Sequence, residues 1–467
     1  MSMFEEFEDG SDQDIESIVS QFETARQENR QVMLDQDAFD QLIDYYSDRN
    51  EVDRALDVTD IALEQFPYSG ALLLRKAEVL FDAKSLPEAL ETLALAEVYD
   101  PSEIGIYLLR SEILTFQSEY KEAISVLENI FTTADEEEKS DVLLHMADVY
   151  EDWQKYDQVF RCLKTCLTTD PLNEEALNRI NYCVEITMDF EESVRFHKIL
   201  IDEQPYSYLA WYNLACAYTG LEMYEKGIDA LEFVLAINEH AYFAHHDIAD
   251  LYFRLKQYDE ALKEIKEFHV KGDPDEELYF LEGRCHEAKG NLKMARYLYR
   301  KAIHIYPGFH EAYYRTAETY RTDGSWLQAF KAYEKATEID ENDLDYWVGM
   351  SEAALETGKI DHALIAANKA IEVRFNHYTG YFLLARAMSF SSDHETALEI
   401  LDKGISVCKD TVPLQYARVA VLLLTGKRKQ AALELIRLDD NQAKGLPFVS
   451  IYAPSLEDDP VIRDLEE

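Results

Sequence analysis

Seven carboxylates recur along the chain with a shared period: Asp44, Glu78, Glu112, Asp148, Asp250, Glu318 and Glu352. They are separated by 34 residues or a multiple of 34, apart from one step of 36. Arg284 and Arg386 interrupt the series at the same register. A second series, Tyr212, His246, Phe280, Tyr314 and Phe382, keeps the same period and is aromatic or histidine throughout. Brought to one surface, such groups would do recognition rather than bond-making. Carboxylates would steer and orient Lys or Arg side chains, and the rings would supply most of the contact area.

Motifs for bond-making are missing. There is no G-x-G-x-x-G, no phosphate-binding loop, no H-E-x-x-H and no nucleophile elbow. Gly426-Lys427 lacks the earlier glycine of a Walker motif, because Val421 stands there. His286-Glu287 has no second His four residues after His286. The chain is expected not to be an enzyme and to need no cofactor. One cluster merits a metal test: His240, His245, His246, Asp247 and Asp250, with Cys216 at the equivalent place one period earlier. His246 and Asp250 would share a helix face, as zinc ligands do. The plainer reading places His245 in the core and His246 on the surface, and no metal is expected. Cys162 and Cys166 are likewise read as packing residues.

Charge narrows the partners. The 467 residues carry 45 Lys+Arg against 92 Asp+Glu, a formal net charge of −47. Nucleic-acid binding depends on cationic side chains that displace counterions, so this balance argues against it, and against an anionic membrane surface. With 47% hydrophobic residues the chain is nonetheless built to bury a core. No run approaches the ~18 apolar residues of a membrane span. The opening MSMFEEFEDG has no basic or apolar leader character. Six scattered cysteines fit a reducing compartment. The expected location is cytoplasmic.

The elements that position these groups follow from the period. Repeats begin at Gln36, Gly70, Ile104, Ser140, Glu174, Tyr208, Tyr242, Glu276, His310, Leu344, Tyr378 and Pro413. The 36-residue step falls at the polar run 132–139, read as a longer inter-helix loop. The eighth residue is small in most repeats, as in Ala77, Ala215, Ala249, Gly283 and Ala317. The twentieth is mostly Ala, as in Ala89, Ala261, Ala295 and Ala329. The fourth is large, as in Phe39, Tyr107, Trp211, Tyr279, Tyr313, Trp347 and Tyr381. Residues four, seven, eight and eleven share one helical stripe, and twenty, twenty-four and twenty-seven share another. Small residues at eight and twenty let the two helices approach closely, and large ones fill the flanks. Pro67, Pro101, Pro171, Pro205 and Pro307 close repeats. One such pair cannot bury its own face, so neighbours must stack.

This pattern resembles the tetratricopeptide repeat (TPR) family over about 36–446. The spacing of Trp211, Leu214, Ala215 and Tyr218, and that of Gly283, Ala295, Tyr299, Ala302 and Pro307, match the family's consensus. The resemblance implies an all-α, right-handed solenoid of about twelve helix-turn-helix units. It further implies that the second, fifth, ninth and twelfth residues of each first helix line a concave, ligand-holding face. The two series above are the fifth and ninth residues. The expected function is a non-catalytic protein-interaction scaffold holding a peptide or partner helix, with Lys/Arg-bearing ligands favoured. The bland alternative is solvated charge and ordinary packing. Structural self-association is the rival function, and a metal-binding or enzyme-associated module is a more distant one. Family members that clamp carboxylates use Lys, Arg and Asn on this face. Here only Arg179, Arg284, Arg315 and Arg386 offer that chemistry.

Both ends read as caps for the solenoid. Residues 1–35 hold an amphipathic helix over 11–30, with Ile15, Ile18, Val19 and Phe22 on one face. Residues 447–467 hold an apolar-acidic segment with Val461, Ile462 and Leu465.

Overall fold

The computed structural model describes residues 11–28, 30–438, 442–456, 459 and 462. Among them there are 26 α-helices, one short 3-10 turn and no strand. None of these helices is long and apolar enough to cross a membrane. The chain divides into two compact units, Met1–Ala241 and Tyr242–Glu467, each containing six helical hairpins.

In the N-terminal unit, α1 (Ser11–Gln27) precedes the hairpins α2 (Gln36–Asp48)/α3 (Val52–Gln65), α4 (Gly70–Asp82)/α5 (Leu86–Tyr99) and α6 (Ile104–Phe116)/α7 (Tyr120–Phe131). Next come α8 (Glu136–Asp152)/α9 (Tyr156–Thr169), α10 (Glu174–Thr187)/α11 (Phe190–Glu203) and α12 (Tyr208–Gly220)/α13 (Tyr224–Ile237). The C-terminal unit begins with α14 (Phe243–Arg254)/α15 (Tyr258–Lys271), α16 (Glu276–Ala288)/α17 (Leu292–Ile305) and α18 (His310–Thr322)/α19 (Trp326–Ile339). It continues with α20 (Leu344–Glu356)/α21 (Ile360–Val373), α22 (Tyr378–Phe390)/α23 (His394–Val407) and α24 (Val412–Leu424)/α25 (Arg428–Arg437), and ends with α26 (Gln442–Tyr452).

Each boundary has a local cause. Most first helices start behind Asp, Ser or Asn caps, for example Asp35 accepting from the Ala38 amide at 2.9 Å and Asp275 from Leu278 at 2.8 Å. Between the helices of every hairpin the fifteenth residue turns left-handed. It is glycine at 290, 324, 358 and 426, and a non-glycine such as Asn50, Lys84, Met188, Glu222 or Lys256 in the other eight. In eleven of the twelve the next amide reaches back five residues, as in Ser325 N to Tyr320 O at 2.8 Å, which closes the first helix.

Packing within each unit follows the small-residue stripe. Ala77, Ala147, Ala249, Ala317, Ala295 and Ala329 are fully buried. Gly283 lies against Tyr299 so closely that an added Cβ would sit 2.5 Å from its ring.

Three boundaries differ from the sequence reading. The extra residues before Ser140 extend α8 by a turn instead of lengthening a loop. Asp135 and Glu138 cap each other's backbone amides at 2.9 Å, a reciprocal pair strong enough to start the helix early. The last repeat begins at Val412, not Pro413. Left-handed Gly426 holds the fifteenth position of that register, and Ala431, not Ala432, is the fully buried twentieth residue. The last hairpin ends at Arg437, so α26 straddles the boundary expected at 446/447.

The ends also differ from each other. Ile18, Val19 and Phe22 of α1 pack on the first hairpin beside Phe39 and Tyr46, whose hydroxyl donates to Glu23 at 2.7 Å. Ile15 is half-buried on the same helix. At the other end α26 lies against α24 and α22, while Leu433 and Ile436 on α25 remain exposed. Ile462 is buried, and Val461 and Leu465 lie outside the described residues.

Candidate peptide-binding site

The first helices of successive hairpins touch, and this sets the sixth residue of one beside the ninth of the one before. Arg75 reaches both Asp44 and Asp40 of the preceding hairpin and Glu78 of its own helix. Arg179 repeats the arrangement, to Asp148 at 2.6 Å, Glu151 at 3.1 Å and Glu175 at 2.8 Å. His145 Nε2 stands 3.3 Å from Glu112, and that hydrogen bond raises the histidine's pKa. Burial pushes the carboxyls of Glu78 and Asp148 upward, against the pull of their arginines. The predicted carboxylate row is therefore a row of clasped carboxylates. Of the clasping cations the sequence reading singled out only Arg179, although Arg75, His145 and Arg179 share the sixth position in three of four successive repeats and were legible there.

Between α4, α6 and α8 this face opens into a cavity of ~260 Å³. Phe81, Phe116, Glu112, His145, Asp148 and Asp152 line it. The two phenylalanine rings meet edge-on at 6.2 Å, and Phe116 is 57% exposed. The Lys84 ammonium already rests over both, 4.8 Å from Phe116 and 5.3 Å from Phe81. Glu112 and Asp148 were expected here. Phe81 and Phe116, the twelfth and thirteenth residues of their helices, were not, because the aromatic series of the sequence runs through the fifth residue. Tyr212 is half-buried on α12.

In the C-terminal unit the predicted residues are spread over five first helices. Arg254 holds Asp250 at 2.6 Å, and His246 pairs with Asp247 at 3.4 Å. Arg284 lies 4.3 Å over Phe253 and 5.9 Å from Phe280, which packs on Tyr299 and Phe309. Tyr314 sits between Tyr333 and Tyr346. Glu318 accepts from the Tyr333 hydroxyl and pairs with Arg321, which also reaches Glu352 at 3.6 Å. Burial raises the Glu352 pKa. Two residues are not open at all. Phe382 is buried against Phe448 and Tyr452 of α26, and Arg386 is buried beside Glu356 at 3.2 Å. His245 is buried, as expected, bonded to Glu264 at 2.8 Å. Among the described residues no three His, Cys, Asp or Glu side chains converge as a metal site requires.

Stacked helical hairpins with a side-chain-rich face on their first helices define a repeat protein of the α-hairpin class. Tetratricopeptide repeat family models match residues 41–103 and 246–308, and 208–240 and 310–343. The chain belongs to the tetratricopeptide repeat family. It is 20% identical over 400 residues to the TPR repeat-containing protein YpiA of Bacillus subtilis (strain 168), covering 85% of this chain and 89% of that protein. It is 29% identical over 153 residues to the protein O-mannosyl-transferase TMTC3 of Homo sapiens, where the match covers 32% of this chain and spans only 16% of that relative. Among solved structures it is similar to the C-terminal part of a TPR repeat-containing protein from Cytophaga hutchinsonii. That likeness has a TM-score of 0.43 at 18% identity, covering 55% of this chain and 99% of the other. A fold of this family is a scaffold for protein interaction.

Proposed function

We propose that the face formed by the first helices holds an extended peptide bearing Lys or Arg, and that the cavity between α4, α6 and α8 anchors one cationic side chain. The observation that carries this reading is Lys84: an ammonium already occupies the faces of Phe81 and Phe116 at the cavity mouth. An incoming Lys or Arg would displace exposed Lys84, keep the ring contacts and gain Glu112, Asp148 and Asp152. Asp44 and Glu78 would extend the contact along the N-terminal unit. Asp250, Glu318, Glu352, His246, Phe280, Arg284 and Tyr314 would offer a second stretch on the C-terminal unit. Phe382 and Arg386 serve packing and drop out of the site. A cytoplasmic location belongs to the same reading, supported by cysteines that are scattered along the chain and mostly buried in packing positions.

The test is fluorescence anisotropy with a labelled peptide of alternating Lys and Ser. Association should slow as salt rises from 20 to 200 mM, as steering through exposed carboxylates requires (both concentrations roughly straddle the relevant screening range). Phe116→Ala should weaken binding about tenfold, as loss of roughly 1.4 kcal/mol of cation–ring contact implies. Glu112→Gln with Asp148→Asn should weaken it more than Glu122→Gln with Glu128→Gln, which removes two exposed charges from a second helix. Equal losses from the two pairs would reduce the effect to total charge and sink the site.

Self-association is favoured by a separate observation: Leu433 and Ile436 are 59% and 67% exposed on α25. Light scattering of wild type against Leu433→Glu decides it.

A further inference from the structure

On the side of the N-terminal unit lined by second helices, α3 and α5 stand apart over α4 and leave a trench of ~650 Å³. Its floor is Leu73 and Leu80, and its walls carry Leu56, Leu63 and Leu95. Asp60, Glu88 and Glu91 form its rim. The same trench exists between α11 and α13, but there it is partly filled and measures ~370 Å³. The filler is Trp211, which occupies the register position of Leu73 and stacks on Phe233 at 4.3 Å. Phe233 corresponds to Leu95.

The aromatic at this position makes a recurring hydrogen bond. Trp211 Nε1 donates to the Pro205 carbonyl at 2.9 Å, Trp347 Nε1 to the Glu341 carbonyl at 2.8 Å, and Tyr107 Oη to the Pro101 carbonyl at 3.0 Å. In each case the acceptor lies six residues earlier. For Leu73 the equivalent acceptor is the carbonyl of Pro67, a residue that lines the trench, and an aliphatic side chain has nothing to donate to it. The rim differs too. Where the α11–α13 trench has Lys198 and Lys226, this one has Asp60 and Glu88. Lys76 satisfies Asp60 at 2.6 Å, which leaves Glu88 and Glu91 exposed.

We propose that the α3–α5 trench is a docking site for a tryptophan side chain of a partner peptide, flanked by Lys or Arg. The indole enters as Trp211 does within its own repeat. Its ring lies over Leu73 against Leu95, its N–H meets the Pro67 carbonyl, and the flanking cations meet Glu88 and Glu91. The site is separate from the cavity on the first-helix side, so either can fail without the other.

The experiment is methyl NMR of the full chain with labelled leucines, titrated with acetyl-Lys-Trp-Lys-amide. Saturable shifts are expected at Leu56, Leu63, Leu80 and Leu95. Acetyl-Lys-Phe-Lys-amide, lacking the N–H, should bind roughly 2- to 10-fold more weakly, the worth of one neutral hydrogen bond. Leu73→Trp installs the side chain natural to this position in other repeats and should abolish the shifts. Leu95→Lys, at a 45% exposed position, should do the same without touching the core, and so decides the matter even if Leu73→Trp unfolds. No saturable shift at millimolar peptide, or shifts that persist in Leu95→Lys, would overturn the proposal.

Discussion

Arg179 donates to Asp148 across 2.6 Å, from the sixth residue of one repeat to the ninth of the repeat before. The Arg179 side chain is 23% exposed, and its guanidinium also serves Glu151 and Glu175. A clasp of this kind ties neighbouring hairpins and at the same time withholds a carboxylate from any cationic ligand. Stability and binding should therefore respond in opposite directions.

Arg179→Gln should lower unfolding free energy by about 1–2 kcal/mol, between the values for exposed and buried pairs, because three carboxylates lose a shared cation. The same change should tighten the Lys/Ser peptide at low salt, since Asp148 becomes free to pair with it. Urea denaturation reads the first effect and anisotropy the second. Arg195→Gln, on an exposed side chain paired only within its own helix, is the control and should move neither.

The left-handed fifteenth position gives a second pair of opposite effects. An L-residue there strains against its own Cβ, by about 1–2 kcal/mol in the left-handed region. Gly324→Ala should destabilise by about 1 kcal/mol, purely through backbone conformation, because nothing lies within 4 Å of the added Cβ. Lys256→Gly should stabilise by about 0.5 kcal/mol, the relief of strain offset by greater freedom in the unfolded chain. Thermal melts of the two variants should bracket wild type.

The repeat spacing in the sequence was enough to place both helices of every hairpin, because the small residues at eight and twenty and the helix caps all point to one structure. Two of the three boundaries that differ escaped it for local reasons. The Asp135–Glu138 capping pair is a short-range signal hidden inside a polar run, and Pro413 looked like a first residue when it is the second of α24. The candidate site was only half legible. Periodicity shows which residues share a face, so Glu112 and Asp148 were found. It does not show which cation a carboxylate prefers, or that α26 folds back over Phe382. Those depend on contacts 30 or more residues apart, such as Ser389 with Tyr452 at 2.7 Å.

That fold-back has its own consequence. Removing residues 439–467 should uncover Phe382 and Tyr378, which Phe448 and Tyr452 now cover. Binding of a hydrophobic dye should rise and the truncated chain should unfold at lower urea. Tyr452→Phe alone deletes one hydrogen bond to Ser389 and should cost about 1 kcal/mol. A truncated chain with unchanged dye binding would mean that α26 does not stay on this face in solution.

His197 makes the last prediction, on pH. It is fully buried on α11, with Nδ1 facing both the Ser193 hydroxyl at 3.1 Å and the Ser193 carbonyl at 2.9 Å, and with Nε2 lacking a partner. Burial pushes its pKa down to about 4, below the ordinary 6.5. Between these values the unfolded chain takes up a proton that the folded chain refuses, so stability falls as pH falls. The contribution is intact above about pH 7 and is lost progressively toward pH 4, by up to about 3 kcal/mol, from 1.36 kcal/mol per pKa unit. His145 and His246 act in the opposite sense. Hydrogen bonds to Glu112 and Asp247 raise their pKa values, so their contributions are present in acid and fade as pH rises through the folded values. The wild-type profile mixes these effects, and the difference between wild type and His197→Gln isolates one of them. That difference should change by about 3 kcal/mol between pH 7 and pH 4 in urea titrations, with His197→Gln losing less stability in acid. A difference that stays constant across this range would show that His197 takes up its proton without unfolding the hairpin around it.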